Sequence, residues 1–245
     1  MPGSRLAKGA ATAAAVLTLG VAAACGGGDG DSEGTAPASP PTATGTADSP
    51  TAAPTNMEFR SEVKEVTARD LPDSWREGCP VPPGDLRMIE MTYWGFDDRP
   101  HTGGRLVVNE SAADDLVSVF RKLYEMRYPI DRMEPVDKYD GSDFDSIEAN
   151  NTSAFNCRQA TGSGSWSQHA YGLAVDINPC QNPYVSADGS IAHPDCVKYG
   201  NRDLDEPGMI HAGDDVVDAF ASIGWGWGGT WTGAKDYQHF SSNGR

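Results

Sequence analysis

Ser167-Gln168-His169-Ala170-Tyr171-Gly172-Leu173-Ala174-Val175-Asp176-Ile177-Asn178 is the stretch from which the rest of the chain is read. A histidine and an aspartate straddle a glycine, and an apolar run follows. That run, Leu173 to Ile177, predicts the central strand of a folded domain. A strand alternates its side chains, so Asp176 shares a face with Ala174 and Asn178, while Val175 and Ile177 point the other way. Gly172 can turn the chain back, which lets His169 before the turn and Asp176 on the strand converge. Neutral imidazole and carboxylate are both good Zn²⁺ ligands.

A second piece lies near the end, Asp236-Tyr237-Gln238-His239-Phe240. Gly233 before it and Phe240 after it favour a turn leading into a strand, from which Asp236 and His239 both reach a shared cleft. Three ligands from His169, Asp176 and His239 leave one tetrahedral position open. That is the arrangement of a catalytic zinc site, since structural sites are closed by four protein ligands. The remaining carboxylate, Asp236, is then the candidate general base.

Outward from these pieces, the chain divides into three parts. Arg5 and Lys8 precede an Ala-rich apolar run from about Ala10 to Ala24, too short for a membrane span, so residues 1–24 are expected to be a secretory signal. The junction Val21-Ala22-Ala23-Ala24-Cys25-Gly26 resembles a bacterial lipobox. Lipidation of Cys25 is the expectation, with simple cleavage and a free thiol as the alternative. Residues 25–56 are Gly, Ser, Thr, Pro and Ala with a few acids, a composition that cannot offset its ordering entropy and reads as a tether. The folded domain is expected over residues 57–245.

The chain carries 35 acids against 19 bases, a net charge of −16, which argues against a nucleic-acid partner because such binding rests on basic patches. Setting Cys25 aside leaves Cys79, Cys157, Cys180 and Cys196, an even set suited to an oxidising compartment. Cys180 with Cys196 and Cys79 with Cys157 is the preferred pairing among three possible connectivities.

Within the domain, residues up to about Gly84 show little periodicity. Leu86 to Trp94 and Gly104 to Asn109 read as strands, with a loop from Asp97 to Gly103 between them. Ser111 opens the clearest helix, with Asp114 at capping-box spacing and Leu116, Val119, Phe120, Leu123 and Tyr124 on one face. Ile130 to Val136 predicts a strand, Tyr139 to Asn151 an irregular stretch, and Gly213 to Ala221 a helix closed by Gly224. Trp225 to Gly229 and Tyr237 to Phe240 supply the last strands. Elements in this order predict a compact α+β domain with a small, mainly antiparallel sheet and flanking helices.

Ser167-x-His169-x-x-Gly172-x-Ala174-x-Asp176, then Trp225-Gly226-Trp227-Gly228-Gly229-x-Trp231, then Asp236-x-x-His239-Phe240 resembles the LAS-type zinc peptidases. These comprise D-alanyl-D-alanine carboxypeptidases and dipeptidases and L-alanyl-D-glutamate endopeptidases. The upstream Asn151-Thr152-Ser153-Ala154-Phe155-Asn156-Cys157-Arg158 looks like the carboxypeptidase branch. The resemblance implies the fold shared by hedgehog proteins and D-Ala-D-Ala peptidases, with His169, Asp176 and His239 as zinc ligands and Asp236 as acid/base. It also implies Arg158 as the cation for a substrate carboxylate or oxyanion, against the alternative of a surface ion pair. Ser167 would touch substrate or support a ligand. Trp227 and Trp231 would line the cleft or else fill the core.

One departure is Ser241, where many relatives carry Glu after His-Phe. His101, in its glycine-flanked loop, is a further candidate substrate contact, whereas His193 and His211 read as structural or solvent-exposed. The implied substrates are peptidoglycan stem peptides, acted on by a monomer outside the cytoplasmic membrane and held there by its lipid. Which bond is cut depends on loops such as Asn178 to Asp205.

Overall fold

The structure, a computed structural model, describes residues 57–245, so the signal, the tether and Cys25 lie outside the described residues. The described chain is an α+β domain, as the sequence predicts. Its first sheet is antiparallel in the order β1 (Ser61–Glu65), β2 (Leu86–Trp94) and β3 (Pro100–Asn109). β2 has the predicted bounds. β1 does not follow from periodicity, because Ser-Glu-Val-Lys-Glu has no apolar face: it is an edge strand held by backbone pairing to β2, with Lys64 bonded to Glu90 at 2.5 Å.

β3 begins earlier than the sequence suggests, and this converts the expected loop around His101 into strand paired with Tyr93. α1 (Ala113–Glu125) follows and buries Leu116, Val119, Phe120, Leu123 and Tyr124, the predicted face. The predicted cap at Ser111 is corrected. Its hydroxyl is spent on Asn109 Oδ1 at 2.7 Å, and Asn109 caps a short 3₁₀ turn, Glu110–Ala112, that precedes the α-helix.

The predicted strand from Ile130 shrinks to β4 (Arg132–Met133), which pairs in parallel with β5 (Asn151–Thr152). Between them the expected irregular stretch contains α2 (Asp143–Glu148), capped by Ser142, whose hydroxyl accepts from the Asp145 amide at 3.2 Å. α2 was invisible to a search for core-facing periodicity because Phe144 is 53% exposed.

A second antiparallel sheet runs in the order β6 (Ala174–Asp176), β10 (His239–Ser241) and β8 (Gly226–Trp227). Two further strands, β7 (Tyr184–Val185) and β9 (Lys235–Asp236), pair as a short ribbon. α3 (Asp215–Ala221) packs with α1 through Phe220 against Phe120, rings 6.4 Å apart. One core joins Ile89, Leu106, Leu116, Phe120, Val175 and Phe240. Burial of each of these large side chains contributes roughly 1.5–3 kcal/mol, so the sheet carrying the site is anchored by its inward face. Both disulfides form as predicted, Cys79–Cys157 and Cys180–Cys196. No helix among the described residues is long and apolar enough to cross a membrane.

Candidate metal centre

Strand pairing brings the three candidate ligands together. β10 runs antiparallel to β6 with His239 directly opposite Asp176, while Val175 and Ile177 turn into the core as alternation requires. His169 comes from a 3₁₀ turn, Gln168–Tyr171, capped by the Ser167 hydroxyl and ended by Gly172 at φ 67°. A Cβ on Gly172 would lie 2.5 Å from the Asn109 nitrogen, so glycine is required there for space as well as for conformation. His169, Asp176 and His239 are all buried, and one ligand atom from each lies within 4.8 Å of the others.

Hydrogen bonds orient both imidazoles. His169 Nδ1 lies 2.6 Å from the Ala154 carbonyl oxygen, which can only accept, so Nδ1 donates and Nε2 keeps its lone pair. His239 Nε2 lies 3.3 Å from the Arg245 main-chain oxygen and its Nδ1 lies 3.0 Å from Asp176 Oδ1, so both of its ring nitrogens face acceptors. The inward nitrogens, His169 Nε2 and His239 Nδ1, are 3.2 Å apart. The Asp176 oxygens complete the cluster at 3.2 Å from His169 and 3.0 Å from His239. Two inward imidazole nitrogens and a carboxylate converge in a buried site, and this donor set can hold a metal ion.

The electrostatics agree. Burial would raise the Asp176 carboxyl, but the two imidazoles, His169 foremost, hold it well below the usual carboxylate range. For His239, burial disfavours the charged form, yet the Asp176 hydrogen bond and charge outweigh it and shift the imidazole upward. Asp236, on β9, is pushed up to about 7, first by burial and then by the Asp176 charge. Its Oδ1 is buried without a hydrogen-bond partner, a free acceptor in a place where such atoms are seldom left idle.

The cluster opens on a cavity of about 610 Å³ whose lining includes Ser167, His169, Asp236, His239, Arg158 and Trp231. Arg158 Nε sits 2.8 Å from Asp143 Oδ1, close enough for an ion pair although not aligned as a hydrogen bond. Its Nη1 makes only a long contact, 3.4 Å, to the Gln159 carbonyl, so the outer edge of the guanidinium retains donors. The lining also includes Phe144 of α2 and His193 and Tyr184 of the disulfide-closed loop.

Two sequence expectations are corrected. Trp227 does not line the cavity: it is buried, 6.5 Å from the Phe240 ring, and its indole N–H donates to the Tyr237 carbonyl at 2.8 Å. His101 is also elsewhere, in hydrogen-bond contact with Asp97 at 2.8 Å and stacked on Tyr93, because β3 extends through it. His193 is buried and pairs with Glu148 at 2.5 Å, in keeping with the structural role expected of it, and it also reaches the cavity wall, 4.5 Å from the Phe144 ring, which no local motif signals. His211 stays outside the lining, as expected.

Residues 161–242, about one third of the chain, match the family model described as D-alanyl-D-alanine carboxypeptidase, which bears out the resemblance to the LAS-type zinc peptidases. The match spans His169, Asp176, Asp236 and His239, and supports a peptidase of peptidoglycan in general. Neither the curated proteins nor the solved structures gave a match to the chain.

Proposed function

With residues 161–242 matched to a carboxypeptidase family, we propose that the protein is an extracytoplasmic zinc peptidase that removes the terminal D-alanine from peptidoglycan stem peptides. The observation that carries this reading is the meeting, in one cavity, of the His169–Asp176–His239 cluster, the unpartnered Asp236 carboxyl and the Arg158 guanidinium. A cation for a terminal carboxylate beside a hydrolytic centre is what exopeptidase action needs, and an internal cleavage would not.

His169, Asp176 and His239 would hold a Zn²⁺, which would supply Lewis acidity and acidify a water. The chain's own residues do the rest. Asp236 Oδ1 accepts the proton from the attacking water and returns it to the leaving amine, a task open to a buried carboxyl oxygen with no hydrogen-bond partner of its own. Arg158 holds the substrate carboxylate through its outer nitrogens while Asp143 steadies Nε. Trp231 and Tyr184 wall the peptide path. The signal, tether and Cys25 lipid expected from the sequence support a location on the outer face of the membrane, with the enzyme acting as a monomer.

The test is incubation of the full-length protein with defined stem pentapeptides and identification of products by mass. D-alanine release is expected, with zinc near one per chain. Asp236→Asn should lower kcat by about 10²- to 10⁴-fold while zinc stays bound. Internal cleavage would move the assignment to an endopeptidase of the same family, and metal-dependent binding without turnover would make it a cell-wall binding module.

A further inference from the structure

The residue after His239-Phe240 is Ser241, and segment 243–245 lies against the outer ring nitrogen of His239. The Arg245 main-chain oxygen receives two hydrogen bonds, from His239 Nε2 at 3.3 Å and from the Ser241 hydroxyl at 2.9 Å. The Arg245 amide in turn donates to Asn243 Oδ1 at 2.9 Å, and the Trp231 indole N–H donates to the Gly244 carbonyl at 2.6 Å. Behind the segment lies Gly226 of β8: a Cβ there would sit 2.7 Å from the Gly244 Cα, so the two backbones touch only because residue 226 has no side chain.

From these contacts we propose that segment 243–245 is a strap that positions the candidate metal ligand His239, with the Arg245 main-chain oxygen as the outer acceptor. The inference rests on the metal-centre reading above. Imidazole ligands are held in their working orientation by an acceptor on the far ring nitrogen, and that acceptor also raises the basicity of the near one. His169 has such an acceptor in the Ala154 carbonyl. For His239 the strap provides it, so the outer partner is main chain and carries no signature in the sequence. Ser241 acts through the same atom: its hydroxyl fixes the oxygen that fixes the imidazole.

The experiment measures metal affinity of the full-length protein by competition with a chromophoric chelator, and the electronic absorption of its Co²⁺ form, with no peptide present. Deleting residues 243–245 should weaken Zn²⁺ binding by about 10- to 100-fold and alter the Co²⁺ bands. Gly226→Ala, which leaves the strap in the chain but forces Gly244 away, should move both readouts in the same direction with near-ultraviolet circular dichroism unchanged. Ser241→Ala should give a smaller loss. Wild-type affinity and an unchanged Co²⁺ spectrum in Gly226→Ala and in the deletion would overturn the proposal, as would a deletion effect that Gly226→Ala and Ser241→Ala both fail to reproduce. If the wild type binds Zn²⁺ but cleaves no stem peptide, the proposed function falls and the strap stands or falls on the affinities alone.

Discussion

Asp236 is placed where burial works against its charge. Its carboxyl is pushed up to about 7 from a reference of 3.8, by burial first and by Asp176 second. An acid whose pKa rises on folding binds more protons folded than unfolded between those two values. The metal-free protein therefore loses stability as pH climbs from about 4 through about 7, and the loss is complete above. Asp236→Asn removes this titration. Metal-free Asp236→Asn is expected to unfold at a higher temperature than metal-free wild type at pH 8, by up to about 4 kcal/mol at 1.36 kcal/mol per pKa unit, and to match it near pH 4. Thermal unfolding at the two pH values decides this, and equal unfolding at pH 8 would remove the argument that Asp236 is held against its preference.

At the scale of elements, the Trp225 to Trp231 run resolves into separate tasks. Trp227 faces the core and Trp231 the cleft, while the glycines between and before them admit two close approaches. Gly226 meets the strap, and Gly228 meets Asp236, whose carbonyl oxygen would lie 2.5 Å from a Cβ at 228. Gly228→Ala should therefore displace the candidate base while sparing the ligands. A fall in kcat of about 10- to 100-fold with Zn²⁺ affinity retained is expected, since displacement on the order of 1 Å costs about that much; the measurement is steady-state kinetics beside metal titration. Metal loss without kinetic change would contradict the division of labour. Much of this region was legible in the sequence: the turn at Gly172, the Asp176 face and the Asp236-x-x-His239 pair are local patterns with fixed geometric consequences. α2, the His193–Glu148 pair and the strap were not. α2 turns Phe144 and Ile147 to a cavity instead of the core, His193 is brought in by a loop whose path no period describes, and the strap acts through a main-chain oxygen that no side-chain pattern marks.

For the molecule as a whole, the two disulfides divide between holding the domain together and shaping its cleft. Cys79–Cys157 spans 78 residues and ties the lead-in to the residue beside Arg158; the Cys157 amide donates to the Ser74 carbonyl at 2.9 Å and its carbonyl accepts from Arg76. Cys180–Cys196 spans 16 residues and closes the loop that presents Tyr184 and His193. Chain entropy assigns about 4.5 kcal/mol to the long bridge and about 3 kcal/mol to the short one. Replacing Cys79 and Cys157 by Ser is therefore expected to cost more stability than replacing Cys180 and Cys196. The kinetic consequences should differ in kind. Loosening the segment at Arg158 should raise KM for peptides with a free terminal carboxylate and leave Zn²⁺ binding intact, because the ligands sit on β6, β10 and the Gln168–Tyr171 turn. Freeing the 180–196 loop should change the preference among stem peptides that differ away from the scissile bond, at a smaller cost in unfolding temperature. Thermal unfolding and KM across a peptide series test both together. If the short bridge proved the costlier to lose, the lead-in would be held by its core residues Val66 and Leu71 and not by the covalent link, and Arg158 would owe its place to packing alone.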